Sequence, residues 1–380
     1  MNRIKMRLLA VSLGAALALC SCADSISSRP DSSGTEQSSQ VLGTSQVSTS
    51  ETGTTTQPSS VQTVDTSPTE TQMQTSETTA SPTVTSESAD QPDETIPDGI
   101  PMWEGTAPGG SKMIFIGSIH AAKSDFYPLS QKIQNAYAQA DTVAAECDTE
   151  SAMSEDMQFQ MQRLMYYSDG TQIKDVLSEE AYGILCRQMT EVGGSAEQLA
   201  NYKPWAAYET INSYLLLSGE IRSENALDNY LMKQAHTDGK PLFELEDRQV
   251  QIDIIAKQPD KLYDALFRLS KNQTVQSFQA ENSQLYNAWL KGDLQTLSEL
   301  SLLPSNDLLK AEGMSDEDIS LLRAKEKAMI YDRNIGMANG IKQLFNSGNK
   351  TLVIVGLAHY LGDQGIIAML EKEGYTFKRI

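Results

Sequence analysis

The chain contains three histidines, and two of them close the same short pattern. Gly117-Ser118-Ile119-His120 follows the apolar run Met113-Ile114-Phe115-Ile116, and Gly356-Leu357-Ala358-His359 follows Thr351-Leu352-Val353-Ile354-Val355. Such runs read as strands buried on both faces. In open α/β sheets, ligands bind just beyond the carboxyl ends of the strands, so both histidines are expected at one sheet edge. The glycine is expected to allow a tight turn and a close backbone approach, letting the histidine swing back over the strand end. Two more strand candidates end in carboxylates: Asp141–Ala145 at Glu146, and Lys240–Leu245 at Glu246. Imidazoles and carboxylates converging on one point form a ligand set for Zn²⁺, Mn²⁺, Co²⁺ or Fe²⁺. Without a metal, the same groups can move protons. One Gly-x-x-His alone is a common structural feature; two at matching strand exits in a His-poor chain point to function. His236, in the polar stretch Gln234–Gly239, reads as a helix C-terminus where an imidazole is favourable, and receives no catalytic role.

Arg333 is the other chemically unusual residue. It stands three residues after Ile330 and four before Met337, so it shares their helical face. An arginine on a core-facing stripe needs an anionic partner. It is expected either to form a structural salt bridge, or to orient Glu146 or stabilise a developing oxyanion. Lys203-Pro204-Trp205 reads as a packing corner or as a lip of the cleft.

The elements that must position these groups follow from periodicity and turn chemistry. Trp103–Lys112 opens a hairpin with Pro108-Gly109-Gly110 as its turn. A helix from about Ser130 carries Ile133, Ala136, Tyr137 and Ala140 at helical spacing. It links the first buried strand to the one ending at Glu146, a βαβ unit. Residues Met153 to Ala235 read as a helical insertion covering one side of the sheet. Further helices run through Leu269, Trp289 and Leu302, then Ala328–Phe345 and finally Ile366–Glu373. The expected fold is α/β: a central mixed, largely parallel sheet flanked by helices.

Residues 1–22 read as a lipoprotein signal peptide. Arg3, Lys5 and Arg7 precede the apolar run Leu8–Leu19, which is too short to span a membrane comfortably. Ser21 and Leu19 stand at the right positions before Cys22, the expected lipidated residue. Residues 23–99 are dominated by Ser, Thr, Gln and Pro, a composition that cannot offset its conformational entropy by burial, so a disordered linker is expected. Residues 100–380 form the folded domain. The formal net charge of −20 argues against nucleic acid and against an electrostatic grip on anionic lipid. Membrane contact is expected through the lipid anchor, on the extracytoplasmic face. Cys147 and Cys186 read as core thiols.

From about Trp103 to Ile380 the chain resembles the TraB/GumN family of the Tiki-like, erythromycin-esterase-like superfamily. The resemblance rests on the two Gly-x-x-His motifs, Glu146, Lys203-Pro204-Trp205, and Asp228 with Leu231. Leu245-Glu246 with Gln251, Arg333-Asn334, and Gly362 with Gly365 complete it, all in order. It implies a cleft in which His120, Glu146 and His359 form the core site, with Arg333 and Glu246 around it. Asp332, and Glu246-Asp247 in place of Glu-Thr, depart from the pattern without touching those ligands. The Tiki branch implies a metal-dependent peptidase using manganese or cobalt. The expected protein is thus a membrane-anchored hydrolase of peptides or small molecules. Its divalent metal (Mn, Co or Zn) would be held by His120, His359, Glu146 and Glu246. Esterase-like relatives imply metal-free water activation instead, and haem-binding lipoproteins of the superfamily imply a binding module.

Overall fold

A computed structural model of the chain describes residues 99–151 and 153–380. The expected signal peptide, Cys22 and the 23–99 linker lie outside these residues, apart from Gly99. Six strands form one sheet: β1 (Met102–Thr106), β2 (Lys112–Ser118), β3 (Thr142–Ala145), β4 (Leu242–Glu244), β5 (Thr351–Gly356) and β6 (Thr376–Arg379). Their order is β4-β3-β5-β2-β1-β6. The four strands from β4 to β2 run parallel, while β1 is antiparallel to both β2 and β6. The sheet is mixed and largely parallel, with helices flanking it, as the alternation of apolar runs and helical patterns implies.

The β1–β2 hairpin closes through Ala107 N–H donating to the Ser111 carbonyl at 2.9 Å, with Gly110 in the left-handed region. The βαβ unit also forms, through the helix Gln131–Gln139, but β3 does not lie beside β2. The late strand β5 inserts between them. All six residues of β5 are buried, which suits a central strand with both faces covered. β4 is shorter than its sequence signal and occupies one edge. At the other edge lies β6, whose alternating Thr376-Phe377-Lys378-Arg379 is only half-buried.

Helices between β3 and β5 form the insertion. Its inner helix, Pro204–Leu217, buries most of its circumference, as a helix apolar nearly all round must. The helix Val275–Lys291 is tied to the sheet where Trp289 Nε1 donates to the Gly117 carbonyl at 2.7 Å. The expected Ala328–Phe345 helix divides into a π-helical turn, Lys327–Tyr331, and an α-helix, Asp332–Ser347. Among the described residues no helix is long and apolar enough to cross a membrane.

Candidate functional site

The register of the parallel strands brings the predicted residues together. Ser118 pairs with Gly356, and Ala145 lies between Ile354 and Glu244. The strand ends therefore deliver His120, His359, Glu146 and Glu246 side by side along one edge. His120, Glu146, His359 and Arg333 line a small pocket of about 40 Å³, with Leu285, Met329 and Ile330 among its apolar wall residues.

His120 is the described non-glycine residue with a left-handed backbone, φ 56°. That conformation is unfavourable for a residue carrying a β-carbon and tends to occur at functional sites. Ser118 Oγ supports it by accepting the His120 N–H at 3.1 Å. The ring's Nδ1 is bonded to the Asp228 carboxylate, and its Nε2 lies 3.7 Å from Glu146 Oε1. His359 approaches the same oxygen from the other side, Nε2 to Oε1 being 3.8 Å. Its Nδ1 meets Asn334 Oδ1 at 2.7 Å, and Asn334 Nδ2 donates to the Gln364 carbonyl at 2.7 Å.

Glu146 is held from three directions. Gly356 N–H donates to Oε1 at 2.7 Å, Arg333 Nη2 to Oε2 at 2.5 Å, and Gln251 Nε2 to Oε2 at 3.3 Å. Glu246 faces Arg333 and Gln251 instead. Arg333 Nε reaches both its oxygens, at 3.0 and 2.9 Å, and Gln251 Nε2 donates to Oε1 at 2.7 Å. Arg333 also donates through Nη2 to Glu246 Oε1, and through Nη1 to the Met329 carbonyl at 2.8 Å. That carbonyl belongs to the π-helical turn Lys327–Tyr331, a feature that often occurs at functional sites.

The electrostatics separate the two histidines. Burial pulls His120 down, but the charge and hydrogen bond of Asp228, with Glu146 behind them, outweigh it and raise the ring to about 9. Burial pushes His359 down to about 3, against the pull of Glu146. Burial alone would raise Glu146; the charges of His359, Arg333 and His120 and the Gly356 N–H together hold it well below the usual carboxylate range.

The glycines act differently from the expectation. Neither Gly117 nor Gly356 is among the left-handed glycines; His120 itself makes the reversed turn. A β-carbon on Gly117 would lie 2.5 Å from Leu357 Cδ1, and one on Gly356 would lie 2.5 Å from His120 Nε2 and 2.9 Å from Glu146 Oε1. Close approach, not turn conformation, requires them.

Among the described residues, no three His, Cys, Asp or Glu side chains stand close enough to hold a metal ion. The nearest set is His120 Nε2, His359 Nε2 and Glu146 Oε1. Its 3.7 and 3.8 Å separations exceed the roughly 3.4 Å expected between donors around a tetrahedral ion with 2.1 Å bonds. Their chemistry fits a divalent cation. Each Nδ1 is already bonded to an oxygen, the outer-shell arrangement typical of metal-ligating histidines. Glu246 is committed to Arg333 and Gln251.

Three residues with a part in the site were not assigned one from the residues alone: Asp228, Asn334 and Gln251. Asp228 lies on the buried stripe of the Leu227–Asp238 helix with Leu231, Met232 and Ala235, the same polar-on-apolar signal that drew attention to Arg333. His236 closes that helix, its Nε2 2.9 Å from Asp148 Oδ2. Trp205 is buried and donates to the Leu164 carbonyl at 3.1 Å, so Lys203-Pro204-Trp205 is a packing corner. Cys147 is buried and Cys186 half-buried, both free. Burial, with Glu146 and Glu246 nearby, pushes the Cys147 thiol up to about 12.

A strand-edge pocket built by two Gly-x-x-His segments, a buried glutamate and an arginine defines an α/β protein with a charged cleft at its strand ends. The TraB/PrgY/gumN family profile matches residues 101–379, and the chain belongs to that family. It is 23% identical over 269 residues to "Uncharacterized protein YbaP" of Escherichia coli (strain K12), covering 70% of this chain and 90% of that protein. The same identity and coverage hold for the protein of that name in Shigella flexneri. No solved structure matches the chain significantly.

Proposed function

We propose that the protein is a divalent-metal-dependent hydrolase, acting on peptides and held at the extracytoplasmic face of the membrane by a lipid on Cys22. The observation that carries the reading is the convergence of His120 Nε2 and His359 Nε2 on Glu146 Oε1 in a pocket with apolar walls. His120, His359 and Glu146 would hold the ion. When bound there, it would lower the pKa of a water and polarise the scissile carbonyl. The protein's own groups do the rest. Gly356 N–H and Arg333 keep Glu146 ionised and fixed, and Glu246 and Gln251 hold Arg333 and Glu146 in register. Leu285, Met329 and Ile330 offer apolar contact to the substrate and limit water entry.

A second reading keeps the hydrolase and omits the metal. It is favoured by one observation: His120 Nδ1 is bonded to the Asp228 carboxylate while the ring stands beside Glu146, a setting that stabilises an imidazolium as a proton donor.

The test is metal content of the purified full chain together with cleavage of a peptide mixture, for wild type and His359→Ala. Metal and cleavage in wild type, both lost in the variant, are the expected outcome. If neither protein binds metal and both are inert, the proposal fails. Cleavage that survives chelators points to the second reading, and a haem absorption band would point to a binding module.

A further inference from the structure

We infer that Asn334 is a positioning residue that fixes the tautomer of His359, while Asp228 fixes the orientation of the His120 ring. The argument starts from the amide. Asn334 is fully buried, so water cannot substitute for its partners. Its Nδ2 donates to the Gln364 carbonyl at 2.7 Å. A carbonyl accepts only, so the N–H end of the amide must face Gln364 and Oδ1 must face the ring. Asn334 Oδ1 lies 2.7 Å from His359 Nδ1. Two acceptors cannot bond to each other, so Nδ1 carries a proton, and in the neutral ring Nε2 is then the nitrogen with the lone pair. In water a neutral imidazole favours the opposite tautomer, so the protein reverses an intrinsic preference.

The same logic applies to His120 with a different partner. The Asp228 carboxylate accepts only, so His120 Nδ1 is the donor and Nε2 points at Glu146. Both Nε2 atoms are thereby directed at Glu146 Oε1, at 3.7 and 3.8 Å. Gln364 lies in the short segment between His359 and the final helix, Ile366–Lys372. The amide therefore ties the ring to the backbone that follows it, and Arg333, its chain neighbour, holds Glu146. One turn of the Asp332–Ser347 helix thus orients both members of the Glu146–His359 pair.

The inference rests on the hydrolase reading only for its consequence; the tautomer can be read without any activity. The experiment is long-range ¹H–¹⁵N NMR at pH 7 on the full chain with ¹⁵N-labelled histidine, with and without chelator. Its three histidines can be assigned with His236→Gln and His359→Gln. The expected result is a proton on His359 Nδ1 and none on Nε2. Asn334→Asp, which keeps an acceptor, should retain that pattern, and Asn334→Leu should move the proton to Nε2. In a metal-binding protein, Asn334→Leu should also weaken metal affinity by about 10- to 100-fold. A wild-type ring protonated on Nε2, or on both nitrogens, overturns the inference, as does an Asn334→Leu protein with an unchanged tautomer. If Asn334→Leu does not fold, the wild-type and Asn334→Asp spectra decide. A protein with the predicted tautomer that binds no metal and cleaves nothing would end the hydrolase reading and leave this assignment standing.

Discussion

Gly356 and His120 meet across neighbouring parallel strands so closely that a β-carbon on Gly356 would stand 2.5 Å from His120 Nε2. The ring cannot simply retreat, because Asp228 holds its other nitrogen. Gly356→Ala should therefore leave the fold largely intact, at a cost of about 1–3 kcal/mol. It should push His120 and Glu146 out of alignment, lowering the proposed hydrolysis by roughly 100-fold. Thermal melts and rate measurements on the same preparation test this; a fully active Gly356→Ala protein would contradict it.

The His120–Asp228 pair gives stability a definite pH dependence. His120 is raised from 6.5 to about 9. Between those values the folded state keeps a proton that the unfolded chain releases, so the pair's contribution is complete below 6.5 and is lost as pH rises through 9. Comparing chelated wild type with Asp228→Asn, the stability gap should be widest near pH 6, on the order of 3 kcal/mol at most, and should close by about pH 10. Denaturant unfolding across that range measures it. A gap that grows with pH would show the pairing to be wrong.

Arg333 sits between Glu146 and Glu246, all three largely buried. Arg333→Met removes the cation that lies between the two carboxylates and is expected to cost about 3–5 kcal/mol. Arg333→Lys keeps the charge but not the planar fork that reaches both glutamates. It should retain more stability than Arg333→Met while still losing most of the proposed hydrolysis. Unfolding midpoints of the three proteins should rank wild type, Arg333→Lys, Arg333→Met.

A second buried pair lies outside the pocket lining. Lys325 Nζ is 3.8 Å from Glu209 Oε1, and neither Glu209 oxygen has a hydrogen-bond partner among the described residues. Burial lifts Glu209 to about 7, against the pull of Lys325, and lowers Lys325. Such a pair contributes little net stability, but each member is costly alone. Lys325→Met should destabilise by roughly 3 kcal/mol, whereas Lys325→Met with Glu209→Leu should return to within about 1 kcal/mol of wild type. Urea unfolding of the four proteins closes the cycle; additive losses would refute the account.

What the sequence disclosed was whatever stood out against an apolar background. His120, His359, Glu146 and Arg333 are polar groups at the ends or on the faces of apolar elements, and all four line the pocket. Asp228 carried the same signal, but its role depends on His120, 108 residues away, and local pattern does not show such a partner. The place of β5 between β2 and β3 is likewise a matter of tertiary pairing, while β6 escaped notice because a half-exposed edge strand has no continuous apolar run. The π-helical turn differs from an α-helix by one residue per turn, too little to alter a periodicity read over a few turns.

The central position of β5 has a consequence for how the chain matures. Strands β2 and β3 are made early, yet the strand that joins them is residues 351–356 of 380. During synthesis the facing edges of these two strands must wait, unpaired, until Thr351–Gly356 arrives. Contacts of that sequence separation form slowly, and open edges invite pairing with other chains in the meantime. The pocket is therefore among the last features to be completed, and a chain cut short before residue 351 has neither a completed sheet nor His359.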